Sequence, residues 1–138
     1  MIGRSIAALG MVLVLGCGSN DAGASARWLS FDAGPPPPEL KRAEVLYNSY
    51  CLSCHGRQGR GEGLGPPLLD SLFLAPLVTD DDALRAVTAG ANQRAYSFGA
   101  MPPVPILAPA EALQVIEYVR WLQQRAWPDR TPGTNERD

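Results

Sequence analysis

The stretch of this chain with the makings of a core is short. About 90 of the 138 residues, from Glu39 to Trp127, carry apolar patterning, and a domain that small has a thin core that gains from an added apolar component. On either side the composition shifts to small, polar and proline residues. Charges nearly balance, 12 Lys+Arg against 14 Asp+Glu. No cationic surplus exists to neutralise phosphates, which excludes nucleic acid as a partner. A hydrophobic content of 46% excludes wholesale disorder. The 14 glycines and 13 prolines make the chain loop-rich, with no collagen-like period. The length allows one domain.

The N-terminus reads as an export signal over residues 1–16. Arg4 is a short positive n-region, and Ser5 to Gly16 is an uncharged, mostly apolar run. As a helix that run spans ~18 Å, short of the ~30 Å hydrocarbon core, which favours a removed signal peptide over a membrane span. Val14-Leu15-Gly16-Cys17 resembles the lipobox of bacterial lipoproteins, where cleavage precedes the Cys and its thiol is lipidated. The alternative is a soluble periplasmic protein cut after Ala26, with Ala24-Ser25-Ala26 as the small-residue site. Either way the domain sits on the periplasmic side, lipid-anchored to a membrane in the first case. Residues 17–38 read as a flexible Gly/Ser/Pro-rich tether. Trp28, Leu29 and Phe31 interrupt it, either to pack on the domain or to sit at the bilayer surface. Residues 39–127 are the domain, and 128–138 a disordered tail without apolar periodicity.

Three helices are predicted. The first follows a proline at its first turn and covers about Glu39 to Ser49, with Leu40, Ala43, Leu46, Tyr47 and Tyr50 near one side. The second covers Asp80 to Gly90. Thr79 caps it, Asp80 to Asp82 complement the N-terminal dipole, and Gly90 stops it. The third covers Pro109 to Ala126, with Ala112, Val115, Val119, Leu122 and Ala126 as an apolar seam at helical period. Gly/Pro loops lie between, and no run alternates as a strand should. The fold class is all-α with long functional loops.

Cys51-Leu52-Ser53-Cys54-His55 is a C-x-x-C-H, the attachment signature for c-type haem. Two thiols on one helical turn can each add to a haem vinyl group, and the histidine then lies under the iron as a proximal ligand. His55 is the single histidine, so two-histidine metal sites and bis-His haem are excluded. A thioredoxin-like pair needs a βαβ context, absent here. A structural zinc needs four ligands, and two Cys with one His supply three. A Cys51–Cys54 disulfide would close a tiny loop of little stabilising value. Met/His ligation is the cytochrome c arrangement. Met1 and Met11 leave with the signal segment, so Met101 is the methionine of the mature chain. It lies in Gly99-Ala100-Met101-Pro102-Pro103, poorly placed for core filler.

From about residue 40 to 125 the chain resembles a class I monohaem cytochrome c of bacterial type. The shared order is an amphipathic helix, C-x-x-C-H-G, a glycine loop (Gly56, Gly59, Gly61, Gly63), Gly65-Pro66-Pro67-Leu68, a short helix, Met101-Pro102 and a final helix. The resemblance implies three main helices and long loops wrapped around one covalently bound haem c. It implies Cys51 and Cys54 as attachment points, His55 and Met101 as axial iron ligands, and the Pro66 carbonyl as acceptor from the other ring nitrogen of His55. Tyr47 and Tyr118 match the aromatic positions where the first and last helices cross, and Ala43 stands where the family has glycine.

The implied function is one-electron transfer between exported or membrane redox partner proteins, with no small-molecule substrate and no catalysis of its own. The alternatives are an electron-entry or exit subunit of a larger oxidase, reductase or dehydrogenase complex, and a haem sensor or ligand-binding protein with labile Met ligation. Leu68, Leu69, Leu72, Phe73, Leu74, Leu77 and Phe98 are expected to line the haem pocket. Asn92, Arg94 and Tyr96 are candidates for its propionates. Arg57 and Arg60 are either solvated loop cations or rim charges for an acidic partner.

Overall fold

A computed structural model describes residues 26–130. The signal segment, Cys17 and residues 131–138 lie outside the described residues. After a 3-10 turn at Pro38–Leu40, α1 spans Lys41–Tyr50, α2 Leu52–His55, α3 Asp80–Ala89 and α4 Pro109–Ala126. Further 3-10 turns cover Arg57–Gly59 and Ser71–Phe73. The described residues hold no strand beyond an isolated bridge between Ala91 and Met101.

The bundle is organised on α4, against which both α1 and α3 pack. Where α1 meets α4 the rings of Tyr47 and Tyr118 lie 5.5 Å apart, and both are buried. Ala43, the expected departure from glycine, is 2% exposed, so the crossing accommodates its methyl. The α4 seam behaves as its period requires. Ala112, Val115 and Leu122 are buried, Val119 and Ala126 partly so, and Leu113 on the other side is 47% exposed. Tyr50, expected on the apolar side of α1, is instead exposed at its end.

The ends of α3 follow their local chemistry. Thr79 Oγ1 accepts from the Asp82 amide at 3.2 Å, and Asp82 Oδ2 accepts from the Thr79 amide at 3.1 Å, a reciprocal cap that satisfies two orphan donors. Gly90 ends the helix at φ +83°, and a Cβ there would sit 2.8 Å from the Met101 carbonyl. The chain can therefore return past the helix end only over a glycine.

The described part of the expected 17–38 tether, residues 26–38, packs on the domain instead of running as flexible linker. Trp28 and Ala33 are 6% and 4% exposed and belong to the main core. Trp28 packs edge-on against Trp127 at the end of α4, with ring centroids 5.7 Å apart. The Arg27 guanidinium lies over both indoles, at 4.7 and 4.6 Å, within cation–π reach. Trp127 in turn donates its indole N–H to the Leu69 carbonyl at 2.8 Å. A polar stretch gains order here because one indole supplies the apolar area that its neighbours lack.

Two leucines on opposite sides of α4 test this packing. Leu122→Ala should cost about 3 kcal/mol in denaturant unfolding, as for a fully buried leucine. Leu113→Ala should cost less than about 0.5 kcal/mol, as for an exposed position.

Candidate functional site

The site begins where α1 ends. The Cys51 amide donates to the Tyr47 carbonyl at 2.8 Å, and the His55 amide to the Cys51 carbonyl at 2.8 Å. One helical turn thus presents Cys51, Cys54 and His55 together. Both cysteines are free thiols, Cys51 buried and Cys54 half-buried. Burial pushes the Cys51 thiol up to about 11, with the neighbouring Cys54 adding to the effect.

His55 is 8% exposed. Burial lowers its pKa, and the hydrogen bond to Pro66 acts in the opposite direction. Its Nδ1 lies 2.9 Å from the Pro66 carbonyl. A carbonyl only accepts, so the hydrogen belongs on Nδ1 and the Nε2 lone pair stays available. Pro66 is the position to which the family resemblance assigns this acceptor.

The loop that follows sets the height of that carbonyl. Gly56, Gly59 and Gly61 have φ between +74° and +79°, and Gln58 joins them at +52°. A Cβ on Gly61 would sit 2.6 Å from the Pro67 nitrogen, so the loop rests directly on the Pro66-Pro67 segment. A Cβ on Gly63 would strike the Ser53 carbonyl. The Tyr47 hydroxyl donates to the Gly56 carbonyl at 2.9 Å, and burial raises the tyrosine's pKa.

The imidazole opens into a cleft of about 220 Å³ that is partly open to solvent. Its wall is mostly apolar with a few polar groups, the usual make-up of a cofactor pocket. Met101 lines the same cleft. Its backbone is held by two hydrogen bonds with Ala91, at 2.8 and 2.9 Å, and the Val104 amide donates to the Val87 carbonyl at 2.8 Å. Of the expected apolar lining, Leu68, Phe73 and Phe98 take their places. Leu69 and Leu74 are buried but off the cleft, and Leu72 and Leu77 are 46% and 63% exposed. Their places are filled by Val87 from α3 and by Val115, Ile116 and Val119 from α4. The α4 seam signalled core without showing that one edge of it borders a cavity.

Asn92, Arg94 and Tyr96 all reach the cleft. Sequence reasoning missed Arg120 and Gln123, which line it too. Arg120 donates to the Phe73 carbonyl at 3.0 Å and pairs with Asp80 at 2.8 Å, while Gln123 donates to the Leu68 carbonyl at 2.7 Å. Their spacing of three on α4 places them on one side of the helix. Arg60 is not a rim charge. Its side chain is 12% exposed and donates to the Leu29 carbonyl at 3.0 Å. Arg57 is exposed and faces Asp32 at 3.9 Å.

A family model described as "Cytochrome C oxidase, cbb3-type, subunit III" matches residues 38–119. The chain belongs to this cytochrome c family. Among solved structures it resembles the c-type cytochrome XoxG of Methylobacterium extorquens AM1, with a TM-score of 0.51 and 22% identity over 70% of this chain. The matched part is 57% of the XoxG chain, and the likeness speaks for the shared fold. No curated protein matches the chain significantly. The described fold is thus that of a cytochrome c domain, and the cofactor of its family is haem c. The residues present fit that group. An apolar cleft holds an imidazole with its Nε2 free, a thioether and the Cys51 thiol, with the second free thiol, Cys54, on the same helical turn. Among the described residues no cluster of three His, Cys, Asp or Glu could hold a bare metal ion.

Gly61→Ala tests the loop. The left-handed backbone and the contact with Pro67 should together cost about 2 kcal/mol or more, read as a lowered melting temperature of the haem-loaded protein.

Proposed function

We propose that the protein is an exported, membrane-tethered carrier of single electrons that holds one haem c. Cys51 and Cys54 bind it covalently, and His55 and Met101 ligate its iron. The observation that carries this reading is the His55 Nδ1 contact of 2.9 Å with Pro66, because it leaves Nε2 as a free donor in the cleft that Met101 also lines. When bound, haem supplies a one-electron iron(III)/iron(II) couple. The chain does the rest. Cys51 and Cys54 prevent loss of the group, and His55 presents a neutral nitrogen whose orientation is locked by the Pro66 carbonyl. The Met101 sulfur is a soft donor that favours iron(II) and a raised potential. Val87, Ile116 and Val119 keep water from the cleft interior. With ligands on both faces no position stays open for a substrate, and redox proteins are the partners. Arg94, Asn92 and Tyr96 supply polar groups for the propionates, joined by Arg120.

Cys17 is the proposed lipid anchor, on the strength of the Val14-Leu15-Gly16-Cys17 pattern. No helix among the described residues is long and apolar enough to cross a membrane. The family description, which names an oxidase subunit, favours a second reading in which the same domain is a dedicated electron port of a larger complex. Co-purification with a large redox partner separates this from a free carrier.

Intact mass of the mature protein tests both attachments, since haem and lipid add distinct increments. Met101→Ala should open the iron. The weak sulfur-to-iron charge-transfer band of the ferric wild type should vanish, and carbon monoxide should bind the reduced variant but not the wild type. A variant with an unchanged spectrum overturns the Met101 assignment.

A further inference from the structure

We propose that residues 27–34 form a strap that positions the His55 imidazole, with Gln58 as its latch. The proposal rests on the haem reading above. Gln58 is a polar side chain only 5% exposed, and its partners all lie on the strap. The Ala33 amide donates to its Oε1 at 3.1 Å, and its Nε2 donates to Asp32 Oδ1 at 3.4 Å and the Gly34 carbonyl at 3.5 Å. Two residues on, Arg60 donates to the Leu29 carbonyl. The strap therefore grips the loop on both sides of Gly59. Its other end is fixed by Trp28 and Arg27 against Trp127.

Gln58 is the one described non-glycine residue with a left-handed backbone, a conformation that costs energy without a compensating contact. The strap supplies that contact. The consequence reaches the proximal ligand in two steps. The loop bears on the proline segment, since a Cβ on Gly59 would touch Leu68 and one on Gly61 would overlap Pro67. It also holds the ligand's own backbone, because the Gly61 amide donates to the His55 carbonyl at 2.7 Å. The Pro66 carbonyl and the His55 ring are thus set against each other by a loop whose shape the strap secures. That hydrogen bond makes the imidazole a more basic ligand and favours iron(III). A loosened strap weakens it and raises the potential. Gln58 touches neither haem nor iron in this account, and it is a positioning residue.

The test uses the haem-loaded full chain. Gln58→Gly removes the latch while giving the left-handed position to the residue that suits it best, so the fold is spared. Solvent exchange of the His55 Nδ1 proton, followed by NMR of the reduced protein, should quicken about fivefold, the factor that goes with one ordinary hydrogen bond. The midpoint potential should rise. Trp28→Ala, at the far end of the strap, should produce both changes, and the double variant should go no further than the single ones because all undo one latch. Should Trp28→Ala not fold, Arg60→Met takes its place. A merely structural strap would lower the melting temperature and leave exchange and potential alone. That result, or additive effects in the double variant, overturns the proposal. A chain that takes up no haem overturns the functional reading and this inference with it. A chain that takes it up with unchanged exchange and potential overturns the strap's role alone.

Discussion

The structure turns on the contact between His55 Nδ1 and the Pro66 carbonyl. It decides which ring nitrogen carries hydrogen and hence which one can serve a metal. Neither partner could hold the geometry alone. His55 sits at the last position of a single helical turn, and Pro66 lies in an irregular segment. What brings them together is the loop 56–63, where three left-handed glycines let the backbone fold back tightly enough for Gly61 to lie on Pro67. The glycine density that makes the composition loop-rich is here the means of a close approach.

The thin core and the cleft are two aspects of one constraint. Val87, Val115 and Ile116 are buried in the fold, yet each also faces the cleft. Phe73, Phe98, Met101 and Val119 on the same wall are only partly buried. A domain of this size cannot leave such a surface to water without losing much of its stability. A flat apolar group in the cleft completes the core as well as the site, so cofactor binding and folding are linked. The covalent attachment proposed through Cys51 and Cys54 makes that completion permanent.

The elements whose signals are local were legible. α4 runs over the residues that its apolar seam and its first-turn proline delimit, and α3 starts at the Thr79 cap and stops at Gly90. The candidate ligands stood out as the one histidine, its two cysteines and the methionine in the Gly/Pro loop before the last helix. What could not be read was long-range pairing. Trp28 meets Trp127, and Arg60 meets Leu29, across separations that no periodicity records. Trp28 looked like an interruption in a polar linker because the surface that receives it is assembled from the opposite end of the chain. Leu72 and Leu77 failed for a related reason. Hydrophobicity marked them as pocket residues, but the irregular 70–78 segment turns them outward. Whether an apolar side chain on such a segment faces a cavity depends on a backbone path that has no period to extrapolate.

Met101 shows how such a segment can nevertheless be held firmly. Its amide and carbonyl both pair with Ala91, immediately after Gly90 ends α3. Pro102 and Pro103 follow, each fixing its own φ. Val104 then ties back to α3 through the Val87 carbonyl. The residue is therefore placed by its backbone, and the side chain, the most adaptable of the apolar ones, is left with little to decide except where its sulfur points. The two candidate ligands are thus secured by the same device on different elements: a main-chain hydrogen bond on one side of a glycine that nothing larger could replace, at Gly61 for His55 and at Gly90 for Met101. Under the proposed ligation this bears on electron transfer. A centre whose ligands move little when the charge on the metal changes has little reorganisation to undergo, and ligands held through the backbone have less room to move than ligands held through flexible side chains.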